Sequence, residues 1–195
     1  MVIFLWGDFV IKGLVVIEPK IYSDERGFFY EFFNRQQLLK YGVNEEFVQG
    51  NHSKSSFGVL RGLHFQIQRA QGKLIRVLKG EILDVVVDLR KGSETFGEYF
   101  KIVLSESNRK MLFVPKGFAH GFLTLKDNTE IEYMCTDFYA PDFDSGILWN
   151  DTDLNIDWEL EKYDLKENEL IISEKDRNQG TLKEFIEKGG EINWY

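Results

Sequence analysis

Between Leu74 and Asp88 the chain reads Leu74-Ile75-Arg76-Val77-Leu78, then Lys79-Gly80-Glu81, then Ile82-Leu83-Asp84-Val85-Val86-Val87-Asp88. Two β-rich runs, each too short for an ordinary helix, flank a glycine turn, which predicts a strand, a tight turn and a second strand. The pattern continues. Phe100 to Leu104, Met111 to Val114, Gly121 to Leu125 and Thr129 to Phe138 read as further strands, with Lys126-Asp127-Asn128 as the turn before the last. Asn34 is placed to cap a helix over Arg35 to Tyr41 that Gly42 stops, and Thr181 with Glu184 forms a capping box for a helix ending near Gly189. Many short strands with two peripheral helices predict a mainly β chain, a β-sandwich or barrel. Spacing alone does not separate a jelly roll from an immunoglobulin-like sandwich.

The 195 residues fit one domain, 1–195, with no linker, repeat or low-complexity tract. Lys plus Arg number 24 and Asp plus Glu 32, giving a net charge of −8. Such a chain repels nucleic acid and anionic membrane, so an anionic ligand must be held by a local group of cations. A single cysteine, Cys135, excludes an internal disulfide and points to a reducing compartment, hence the cytoplasm. Met1 to Trp6 is too short and lacks the basic flank of a signal peptide, and no apolar run is long enough to span a membrane.

The chain has three histidines, His52, His64 and His120. Gly58 with His64 (Gly-x5-His) and Pro115 with His120 (Pro-x-Gly-x-x-His) resemble the two motifs of the cupin superfamily. Those motifs supply three histidines and a glutamate to a divalent metal inside a small jelly roll. Here the second histidine position is Gln66 and the glutamate position is Lys73. An ammonium has no lone pair and repels a cation, so the resemblance implies a cupin without its metal. A neutral histidine, with an ordinary pKa of about 6.5, takes a proton near neutral pH, and a lysine stabilises a developing oxyanion. That pair suits proton abstraction beside a ketone. With an acid on the opposite face it suits an epimerase. Tyr133 and Tyr139, six residues apart and so on one face of an expected strand, are both candidates for that acid.

Six motifs in order resemble one family. They are Asp24-Glu25-Arg26-Gly27-Phe28-Phe29-Tyr30-Glu31, then Val59-Leu60-Arg61-Gly62-Leu63-His64-Phe65-Gln66, then Gln71-Gly72-Lys73. Pro115-Lys116-Gly117-Phe118-Ala119-His120-Gly121-Phe122, Trp149-Asn150-Asp151 and Ser173-Glu174-Lys175-Asp176 follow. From about Ile11 to Asp176 the chain is similar to the dTDP-4-dehydrorhamnose 3,5-epimerase family. The resemblance implies a cupin-type jelly roll, a homodimer, and no metal or other cofactor. It implies inversion of C3 and C5 of dTDP-4-dehydro-6-deoxy-D-glucose through an enolate, giving dTDP-4-dehydro-L-rhamnose for dTDP-L-rhamnose biosynthesis.

By the same resemblance His64 is the base, Asp176 the carboxylate that orients it, Tyr133 the acid on the opposite face, and Lys73 the group facing the C4 oxygen. His120 matches a group near the sugar. Arg26, Arg61 and Lys175 match diphosphate contacts. Glu31, Gln49, Asn51 and Asp144 match contacts around the nucleotide, and Tyr139 is a further candidate for substrate binding. Gly50 and Asp144 depart from the aspartate and glutamate common in the family, which bears on base selectivity.

Asp84 interrupts an apolar strand. A lone carboxylate there is costly to bury, so it is expected to face the cavity or to position His120 or Lys73. Met1 to Trp6 with Val10 to Ile17 is expected to add a strand to a partner's sheet. Other readings of the residues are an epimerase that inverts C3 only, a non-catalytic nucleotide-sugar-binding cupin, and a metal-dependent cupin.

Overall fold

The computed structural model describes residues 11–190. Besides three short 3-10 helices, twelve strands and three short α-helices follow in order among the described residues. They are β1 (Val15–Ile17), β2 (Tyr22–Asp24), β3 (Gly27–Phe29), α1 (Arg35–Lys40), β4 (Gln49–Ser55), β5 (Leu60–Gln66) and β6 (Lys73–Lys79). β7 (Glu81–Asp88), β8 (Tyr99–Ser105), β9 (Met111–Val114), β10 (Phe118–Thr124), β11 (Thr129–Cys135), β12 (Asp144–Gly146), α2 (Glu174–Arg177) and α3 (Leu182–Glu187) complete the set.

Two five-stranded antiparallel sheets face each other, ordered β1-β9-β6-β11-β4 and β12-β5-β10-β7-β8. This is the jelly-roll arrangement, and it decides between the two sandwiches that spacing left open. A core of Ile75, Ile82, Val86, Leu112, Phe118, Phe122 and Ile131 fills the space between the sheets. Leu83, Val85 and Val87 point the other way and are covered by Trp149, Trp158 and Leu170 from the C-terminal third. Val15, Ile17, Leu74 and Phe113 on the far side of the other sheet lie under Leu38 of α1. Both faces of the central strands are thus buried, which is why β7 reads as a continuous apolar run rather than an alternation.

The helix caps form as their sequences dictate. Asn34 accepts from the N–H groups of Gln36 and Gln37, and Thr181 and Glu184 cap one another. Other elements differ from expectation. β10 starts earlier, at Phe118, because it pairs with β7 along its length from Phe118 opposite Asp88 to Thr124 opposite Ile82. β11 ends at Cys135 rather than Phe138, because Thr136 leaves the ladder to exchange bonds with Gly72. β4, a polar strand, is not legible as one; it forms because β11 pairs with it over all seven residues. Of the segment expected to join a partner's sheet, 1–10 lies outside the described residues. Val15–Ile17 pairs with β9 of its own chain. Among the described residues no helix is long and apolar enough to cross a membrane.

Candidate active site

β5 is bent by one extra residue. His64 stands opposite His120 and Arg61 opposite Phe122, so three residues of β5 span two of β10. The bend needs two glycines. Gly62 has φ +128°, and a Cβ there would lie 2.5 Å from the Cα of Gly121; a Cβ on Gly121 would lie 2.8 Å from the carbonyl oxygen of Arg61. A bulge of this kind re-aims side chains. Leu60, Leu63 and Phe65 enter the outer core, while His64 and Gln66 line a cavity of about 330 Å³. Arg61 reaches across to the facing sheet, where its Nε donates to Ser55 Oγ at 3.3 Å.

The segment before α2 runs beside β5, with Leu60 donating to the carbonyl of Ile171. Ser173 then caps α2 by accepting from the N–H of Asp176. This seats the buried Asp176 carboxylate behind His64, its Oδ1 2.7 Å from His64 Nε2, with Oδ2 accepting from the Gly62 N–H at 3.3 Å. Burial pushes this carboxyl up, but the bonds from His64 and the Gly62 and Ser173 contacts outweigh it, and its pKa falls below the ordinary aspartate value. With Nε2–H donated to a carboxylate, Nδ1 is left as the basic nitrogen.

The opposite wall comes from the other sheet. Tyr133 on β11 and Lys73 at the start of β6 line the same cavity. Burial raises the Tyr133 phenol pKa, so it holds its proton. Burial lowers the Lys73 ammonium pKa, with nearby Asp84 and Asp144 acting against that fall. A chargeable ammonium, a protonated phenol and an imidazole base therefore share one space between two sheets.

Asn51, Gln49, Tyr139, Asp144 and Lys175 also line this cavity. Lys175 pairs with Asp144, whose Oδ2 also accepts from the Tyr139 hydroxyl at 3.0 Å. Gln49 donates to Asn51 at 3.1 Å. Tyr139 gets here from a loop beyond the end of β11, not from the strand face shared with Tyr133. His120 does not line the cavity; it is buried, 2.9 Å from the fully buried Asp84, so Asp84 does meet His120. Arg26 and Glu31 lie elsewhere. Arg26 is 83% exposed on the β2–β3 hairpin and paired with Asp24, and Glu31 lines a separate hollow with Tyr22 and Phe29.

Gln66, Gln71 and Phe118 also wall the cavity without having been singled out as site residues. Gln66 had a signal, its place at a cupin metal position. The residues at those positions do not fit a divalent cation. Gln66 is committed to backbone groups, and Lys73 brings positive charge where the glutamate ligand would stand.

The family model for dTDP-4-dehydrorhamnose 3,5-epimerase matches residues 8–184. The chain is 53% identical to the enzyme of that name from Methanothermobacter thermautotrophicus over 89% of its own length and 92% of the relative's. Identity to the Escherichia coli enzyme is 46%, covering 90% of this chain and 93% of that one. Among solved structures, the dTDP-6-deoxy-D-glucose-3,5-epimerase of Legionella pneumophila in complex with dTDP-4-keto-L-rhamnose superposes with a TM-score of 0.85 at 44% identity, covering 93% of this chain and 94% of that chain. The family model covers nearly the whole chain, these relatives share about half of its residues, and one jelly-roll cavity holds an imidazole–carboxylate pair, a half-buried phenol and a lysine: the chain belongs to the dTDP-4-dehydrorhamnose 3,5-epimerase family.

Proposed function

We propose that His64 is the base, Tyr133 the acid and Lys73 the enolate stabiliser of the 3,5-epimerase reaction that this chain carries out. One observation supports this most directly: His64 and Tyr133 enter one cavity from opposed sheets, with Lys73 on its wall. The C4 ketone acidifies the hydrogens on C3 and C5. His64 Nδ1 takes a proton from carbon, and the C–H electron pair moves into an enolate whose charge sits on the C4 oxygen beside Lys73. Tyr133 then returns a proton to carbon from the other face, and the centre is inverted. Solvent restores the proton to Tyr133 and removes the one on His64, so no cofactor is consumed. Asp176 holds the imidazole in the working tautomer and stabilises the imidazolium.

The nucleoside diphosphate does not react. Its role is to hold the sugar between base and acid, so binding at the far end is converted into orientation at the ring. Arg61 and Lys175 supply positive charge in an acidic chain, and Gln49, Asn51, Tyr139 and Asp144 form the wall for the nucleotide.

We also propose a homodimer in which a second copy completes this wall. The β2–β3 hairpin carries Arg26 and leaves Phe28 and Phe29 exposed, the latter at 70%. Neither Arg26 nor Glu31 reaches its own chain's cavity. An exposed aromatic hairpin beside functional charges is suited to reach a neighbouring subunit.

Incubation of the enzyme with dTDP-4-dehydro-6-deoxyglucose in deuterated water, read by NMR, tests the chemistry. Label at both C3 and C5 with inversion is the expected result. Label at C3 alone identifies a narrower epimerase, and binding without any label identifies a binding protein. Mixing Arg26→Ala with His64→Asn subunits tests the dimer. Activity above that of either variant alone is expected from a shared site; no recovery in a confirmed hybrid overturns it.

A further inference from the structure

We infer that Gln66, with Gln71 and Gln49, is a clamp that fixes the loop Asp137–Ala140 and thereby places Tyr139 on the cavity wall. Gln66 occupies the position of a metal-binding histidine in other cupins, and here its amide is committed to backbone. Its Oε1 accepts from the N–H of Ala140 at 2.8 Å. Its Nε2 donates to the carbonyl of Arg69 at 2.7 Å and faces that of Phe138 at 3.4 Å. Gln71 donates to the carbonyl of Asp137 at 2.8 Å, and Gln49 accepts from the N–H of Tyr139 at 2.8 Å.

The loop follows the last ladder pair of β11 and has no regular partner strand. Its backbone groups would otherwise turn to water, because a loop beside a polar cavity has no ladder to satisfy them. Three glutamines meet four of these groups in succession. Gln66 is itself buried, so the bonds it makes are shielded. Phe138 and Tyr139 are both about half exposed, so the loop is held largely by polar bonds: these glutamine amides, the Arg69–Asp137 ion pair and the Tyr139 hydroxyl on Asp144. A single segment of β5 thus does two jobs: His64 presents the base, and two residues on Gln66 anchors the loop that carries Tyr139.

This inference rests on the proposed reading of Tyr139 as a nucleotide contact. A double-mutant cycle between Gln66→Met and Tyr139→Ala tests it, with dTDP affinity read by titration calorimetry and KM and kcat measured on the full substrate. Met keeps the size and loses the bonds. Gln66→Met is expected to weaken dTDP binding and raise KM by about tenfold, while kcat changes by less than about threefold, because the lost bonds order the loop and not the reacting groups. The two costs should be strongly non-additive, since an unanchored Tyr139 has little left to lose. Additive costs, or a fall in kcat with KM unchanged, overturn the clamp. If Tyr139→Ala leaves dTDP affinity unaltered, the nucleotide reading of Tyr139 fails instead. Should Gln66→Met lack a cooperative melt, Gln71→Met, which removes one bond, carries the same cycle. A smaller KM effect coupled to Tyr139 supports the clamp, and an uncoupled one refutes it.

Discussion

The Asp176 carboxylate sits 2.7 Å from Nε2 of His64, and its second oxygen accepts from the backbone N–H of Gly62, two residues before that histidine. The carboxylate therefore fixes both the ring and the bent strand that carries it. An amide cannot do both, since its NH2 must face one of two donors. Asp176→Asn is expected to lower kcat about 10²-fold or more with a much smaller change in KM, measured by steady-state kinetics. A larger effect on KM than on kcat would show that Asp176 serves binding instead.

Tyr133 and His64 should separate into two phenotypes. Tyr133→Phe removes the proton donor of one face and leaves the base intact. Deuterium should still enter the sugar by removal and return on the base side, while inversion falls about 10²–10⁴-fold. His64→Asn should abolish both exchange and inversion. NMR of the recovered sugar nucleotide distinguishes them.

The alkaline limb of the kcat profile should belong to Lys73. Burial lowers its pKa, so the ammonium is lost as pH rises through a value below that of an ordinary lysine. Tyr133 is raised by burial and keeps its proton through that range. Lys73→Met should cost about 10²–10³-fold in kcat, the typical loss of one oxyanion donor. Lys73→Arg should retain part of the activity and move the limb to higher pH, because a guanidinium does not titrate there. A limb that stays in place would assign it to another group.

Gly62→Ala should be destabilising as well as inactivating. The added methyl meets Gly121 backbone at 2.5 Å, and φ is +128°. The combined overpacking and backbone strain should cost about 3 kcal/mol or more, read as a lower urea midpoint. An unchanged midpoint would show that β5 and β10 separate easily.

Acid stability should depend on Asp88. Burial raises its pKa, but bonds from Arg90, Ser93 and Thr95 prevail and leave it depressed. The unfolded chain therefore binds this proton more readily than the folded one. The stabilisation is complete above the ordinary aspartate value and is lost as pH falls through the depressed one. Asp88→Asn should cost about 3–5 kcal/mol at neutral pH, because it breaks the buried ion pair with Arg90. The variant should also lose less stability than wild type on further acidification, in urea melts at several pH values.

The residues themselves determined the local structure and the kinds of chemistry available. The hairpin around Gly80, the caps at Asn34 and Thr181, and a lysine where a metal ligand would stand follow from interactions within a few positions of the backbone. The tertiary structure decided which of these groups meet. A one-residue bulge at Gly62 turns His64 inward, and it persists only because Gly121, far along the chain, leaves room for it. Polar Gln49–Ser55 becomes a strand only because β11 pairs with it. Tyr139 reaches the cavity from a loop whose backbone bonds come from three distant glutamines, and Arg26 stays out of its own chain's cavity. Strand facing and loop placement depend on pairing register between distant segments, and a shift of one residue reverses every side chain, so no local pattern could specify them.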